Sequence, residues 1–76
     1  MNLNEKKIKI YELILHYDGG QKRFSTFKVN GNKVQLTTRD DANKQKEFLL
    51  NKYNNELGYK NVTIEVQEIE RSTPEN

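Results

Sequence analysis

Apolar positions follow a helical period in one segment only, Arg39 to Gly58, and every flanking segment reads as strand. At about 100° per residue, Ala42, Leu49, Tyr53 and Leu57 share one stripe, with Leu50 at its edge. Asp40, Asn43, Lys44, Glu47, Asn51, Asn54 and Asn55 gather on the opposite side. Lys46 falls inside the apolar stripe, so its stem must follow the core edge while its ammonium reaches water. Thr38 is placed to cap the first turn, where Asp40 and Asp41 complement the helix dipole. Asp40 and Lys44 form an i,i+4 pair in the favourable order. Gly58 suits the left-handed residue after the last turn, and Tyr59 is placed to fold back on Tyr53. Phe48 is the exception, because it lies on the border of the polar face, where a core has no need of it.

Four stretches read as strands. Ile8 to Tyr17 is rich in β-branched and aromatic residues and is apolar on both alternating sets, as a central strand is. Arg23 to Val29 and Lys33 to Thr37 follow, and Val62 to Ile69 alternates with Val62, Ile64 and Val66 on one face. Asn30-Gly31 is a two-residue hairpin signal that pairs Val29 with Asn32 and Phe27 with Val34. For Asp18-Gly19-Gly20, a three-residue turn with a glycine bulge gives the larger inner set: Tyr11, Leu13, Leu15, Phe27, Val29, Val34 and Leu36. That register leaves Ile8, Ile10, Ile14 and Phe24 on the outer face. The expected fold is α+β in the order β-β-β-α-β. It has a four-stranded, mostly antiparallel sheet of order 3-2-1-4, with one helix on one face and the last strand parallel to the first. Residues 1–76 make one domain, with 1–7 and 71–76 as polar tails.

Composition narrows the chemistry. The 76 residues are 33% hydrophobic and 32% charged, so the core is modest and stability thin. Absence of cysteine excludes disulfides, cysteine-ligated zinc, iron–sulfur clusters and thiol catalysis. No apolar run approaches the roughly 20 residues of a membrane span, so a cytoplasmic location is expected, with no membrane partner. Richness in Asn, Lys and Ile fits an accessory protein of a phage or other mobile element. Charge is unevenly placed: residues 1–39 hold eight Lys or Arg against three acids, and residues 40–76 hold five against eight.

No catalytic or metal constellation stands out. His16 is the one histidine and has no HxxxH or HExxH spacing around it. Ser25 has no third member for a nucleophilic triad. Asp40 and Asp41 read as helix-dipole residues, and no phosphate-loop pattern is present. The protein is therefore expected to be non-catalytic, without cofactor or metal. Two surfaces are suggestive. Ile8, Ile10, Ile14, Phe24 and the off-stripe Phe48 exceed scattered surface hydrophobes and point to a protein partner or a second copy. Lys22, Arg23, Lys28, Lys33 and Arg39 lie on or beside the second and third strands, and point to nucleic acid as the alternative partner. The succession of three strands and a helix is similar in architecture to the arm-type DNA-binding domains of tyrosine recombinases. The fourth strand departs from that pattern, and the similarity transfers no residues.

Overall fold

The computed structural model describes residues 5–74. It is α+β, built from five strands and one helix. The strands are β1 (Glu5–Tyr17), β2 (Gly20–Phe24), β3 (Phe27–Val29), β4 (Asn32–Val34) and β5 (Thr63–Pro74). The helix α1 (Arg39–Leu50) continues into a π-helical segment, Asn51–Glu56.

The start and stop signals of the helix form as the sequence predicts. The Thr38 hydroxyl accepts from the Asp41 backbone N–H at 3.1 Å. Gly58 takes φ +72°, and the Tyr59 N–H donates to the Tyr53 carbonyl at 2.8 Å. The Tyr59 and Tyr53 rings meet edge to face, 5.1 Å apart. Leu57 departs from expectation. In the π segment each residue turns through a smaller angle than in an α-helix, so the apolar stripe drifts. Leu57 leaves the core and is exposed.

The sheet differs from the expected one. β2, β1 and β5 form a three-stranded antiparallel sheet in that order, and β3 and β4 form a separate hairpin. The second predicted strand is broken at Ser25-Thr26, and the hairpin leaves the sheet there. The chain then re-enters beside Tyr11, whose N–H donates to the Leu36 carbonyl at 2.8 Å. From that level the helix runs toward the Asp18 turn. There the Asp18 N–H donates to the Lys60 carbonyl at 3.0 Å, and the Asn61 amide donates to the Asp18 carboxylate at 2.8 Å. The last strand must start at that end, so it runs antiparallel to β1, with His16 opposite Thr63 and Ile10 opposite Ile69. A continuous second strand would have delivered the helix to the other end and made the last strand parallel.

The first turn is also tighter than expected. Tyr17 pairs with Gly20, so the loop has two residues, and Gly19 takes φ +108°. Leu13 then faces Phe24 and Leu15 faces Lys22. The shift is absorbed by β2, so β1 keeps its expected face toward the helix. Tyr11, Leu13 and Leu15 bury with Phe27, Leu36, Ala42, Leu49 and Ile64. The Asn30-Gly31 turn forms as predicted, with both residues at positive φ, and Val29 pairs with Asn32.

Two expected tails carry strand. β1 begins at Glu5, and β5 runs on to Pro74. Beyond Tyr11 toward the N-terminus, β1 pairs with β5 alone among the described residues. The remaining expected tail residues, 1–4 and 75–76, lie outside the described part.

Candidate functional site

Five residues were singled out as an apolar contact surface, and the structure separates them. Ile10 and Ile14 lie on the sheet face away from the helix, yet they are 2% and 4% exposed. This corrects the expectation that they are wet. Ile14 sits between Arg23 of β2 and Glu65 of β5, and between Glu12 and His16 along its own strand. Those polar side chains join across all three strands. Arg23 donates to Glu12 and, at 3.2 Å, to Gln67; Gln67 donates to Glu65 at 3.3 Å; His16 lies 3.5 Å from Glu65. The apolar parts of these side chains flank the isoleucine; Arg23, His16 and Glu65 stay about half exposed, whereas Glu12 is largely buried beneath Arg23. Ile8 is half-buried, as is Ile69 opposite Ile10.

Phe24 is the second correction. The two-residue turn rotates it to the helix side, where its ring lies 6.2 Å from Tyr53 and 6.3 Å from Phe27. Phe48 stays where the helical period put it, on the border of the polar face. It is 60% exposed, the wettest of the three large exposed hydrophobics among the described residues; the others are Val29 and Leu57. Val29 was expected in the core. The hairpin stands off the sheet, so the helix covers Phe27 and Leu36 but leaves Val29 42% exposed.

A groove lies between the hairpin and α1, with the exposed Val29 in its lining. The cavity is about 410 Å³. Val29 and Val34 of the hairpin, with Gln35 and Leu36 just after it, supply one side, apolar but for Gln35. Asp41, Lys44 and Gln45 supply the helix side. Phe48 is outside that lining and follows Lys44 and Gln45 by four and three residues, one turn along the same helix face. An apolar floor with a polar rim and an aromatic beside it is the composition of a protein-contact patch. Sequence reasoning found Phe48 from its phase on the helix. It missed Val29 and the groove, because both depend on the hairpin leaving the sheet.

The five basic candidates divide in two. Arg23 is engaged by Glu12 and Gln67, and Arg39 lies 3.4 Å from Glu68 with its guanidinium 5.4 Å from the centre of the Tyr11 ring. Lys22, Lys28 and Lys33 are exposed. Lys28 and Lys33 stand directly opposite each other in the hairpin, a like-charge cross-strand pair.

Glu68 gathers two cations and a hydroxyl on the helix side of the ribbon: Lys9 at 3.2 Å, Arg39 at 3.4 Å, and the Tyr11 hydroxyl donating at 3.4 Å. The hydrogen bond from Lys9 holds the Glu68 carboxyl below its ordinary range, and the same bond raises Lys9. Both groups face solvent, so this cluster ties β1 to β5 at the surface. No group of three or more potential metal ligands comes together among the described residues, and no helix there is long and apolar enough to cross a membrane. No family model matches the chain, and neither a curated protein nor a solved structure matches it.

Proposed function

We propose that the protein is a small, non-catalytic binding module that contacts another protein chain through the groove between its hairpin and its helix. One observation carries this reading: the groove is lined by the exposed Val29, and Phe48, 60% exposed, follows its lining residues Lys44 and Gln45 by one helical turn. Leaving such side chains in water forgoes roughly 1.5–3 kcal/mol for each that a partner would bury fully. A 76-residue chain with a modest core has little reason to hold them there without a partner.

A photo-crosslinking residue placed at position 48 in the native host tests it. Protein adducts are expected at 48 and not at Thr63, which is exposed on the opposite sheet face. No adducts at 48, or equal adducts at both positions, would contradict the reading.

A second reading, nucleic-acid binding, is favoured by the Lys28–Lys33 pair. Two ammonium groups set side by side cost the hairpin on the order of 0.2–1 kcal/mol, and a phosphate between them would offset that. With Arg23 and Arg39 already engaged by acids, only Lys22, Lys28 and Lys33 remain free for it. The salt dependence on duplex DNA would then have a slope near −3 rather than the roughly −4 or −5 of all five cations. Retention of binding in a Lys28→Glu/Lys33→Glu variant would remove this reading.

A further inference from the structure

We infer that the occupant of the groove is a second copy of this chain, laid antiparallel along α1 about a two-fold axis. The inference rests on the reading of the groove as a protein-binding site. Its warrant is a stripe of the helix, Asp41, Gln45, Phe48, Lys52, exposed but for the half-buried Gln45, whose spacing of four, three and four is the same read in either direction. A two-fold axis between Gln45 and Phe48 therefore maps the stripe onto itself in antiparallel register. Phe48 then meets the second copy's Gln45, and Gln45 lines the groove. Each copy thus supplies one aromatic knob and one groove, as an isologous interface requires.

Charge follows the same symmetry. The axis that seats Phe48 also sets Asp41 against the second copy's Lys52, twice over. Among the described residues neither side chain enters an ion pair: those present join Lys44 to Asp40, Arg23 to Glu12, His16 to Glu65, and Lys9 and Arg39 to Glu68. Both residues are exposed. Antiparallel helices also place the N-terminal end of each dipole beside the C-terminal end of the other. A parallel arrangement would set Asp41 against Asp41 and Lys52 against Lys52. The hairpin wall, with Val29 on its rim, closes the far side of each seated ring.

Sedimentation velocity of the full chain over a concentration series tests the inference. A reversible dimer is expected at about 100 μM, with Phe48→Asp raising the dissociation constant by roughly a hundredfold or more. Asp41→Lys and Lys52→Asp should each weaken the dimer by about tenfold, since symmetry counts every pair twice. The double variant Asp41→Lys/Lys52→Asp should recover most of the loss, which a merely structural role for either residue would not do. Circular dichroism on the same samples confirms that the variants fold. A strict monomer at about 100 μM, or a double variant no better than the singles, overturns the second copy as occupant. If crosslinks at position 48 to a different protein persist alongside that monomer, the groove reading stands and only its occupant was wrong. If neither dimer nor crosslink forms, both fail.

Discussion

The face of the sheet away from the helix and the face of the helix beside the hairpin invert each other. The first is rich in isoleucine and is closed; the second is mostly polar and holds the exposed Phe48. Ile14 is flanked by Arg23, Glu65, Glu12 and His16, and no helix or further strand covers it among the described residues. Phe48 has long neighbours only along its helix, Lys44, Gln45 and Lys52, and stays 60% exposed, because a helix surface curves away on both sides of a side chain and a sheet does not. The exposure of an apolar residue is thus decided by the length of the side chains on adjoining strands as much as by its own face.

Substitutions sharpen this contrast. The largest effect is expected at Ile14. Ile14→Asp places a carboxylate at a site that is 4% exposed, and it should unfold the chain or lower stability by about 3 kcal/mol or more. Phe48→Asp should change stability by less than about 0.5 kcal/mol. Urea titrations of the two variants against the parent decide it. Equal and small losses would mean that the isoleucine face is as open as the helix face. Leu13→Ala, at the centre of the helix-side core, should cost about 2–5 kcal/mol in the same titration.

Truncating the polar net is the intermediate case. Arg23→Ala removes the stem beside Ile14 and the bonds to Glu12 and Gln67, and about 1 kcal/mol of destabilisation is expected. Thr38→Ala should cost a similar amount, about 1 kcal/mol, by leaving the Asp41 N–H unpaired. Both are measurable by thermal unfolding, and a null result at Arg23 would show that Ile14 is covered by something other than these stems.

The smallest expected effect is on the pH dependence. Glu68 is held below its ordinary value by Lys9, so its contribution is present above the unfolded carboxyl range, near pH 4.3, and fades as pH falls through the lower folded value. Lys9 is raised, so its contribution is full below about pH 10 and is lost as pH rises through the folded value. Glu68→Gln should flatten the acid limb of a stability–pH profile slightly and leave neutral pH nearly unchanged. An unaltered acid limb would show that the ion pair adds nothing beyond solvent screening.

The parts of the fold written in local signals were legible. Thr38 and Gly58 bound the helix, and Asn30-Gly31 fixes its hairpin, because each of these positions asks for one backbone conformation. The Asp18-Gly19-Gly20 turn was ambiguous, since its two glycines permit either loop length; the shorter loop moved Phe24 from one face to the other. The break at Ser25-Thr26 has no glycine or proline to announce it. Strand direction, the separate hairpin, the exposed Val29 and the groove all follow from that break. Phe48 was legible because its phase depends only on the helix.

Hydroxyl-radical footprinting of the intact chain, with each rate normalised to the residue's intrinsic reactivity, compares the two faces in one sample. Phe48 should label heavily in dilute solution and become protected as concentration rises, while Ile10 and Ile14 stay protected throughout. Labelling of Ile10 and Ile14 as strong as that of Phe48, or a Phe48 already protected in the dilute monomer, would contradict the account.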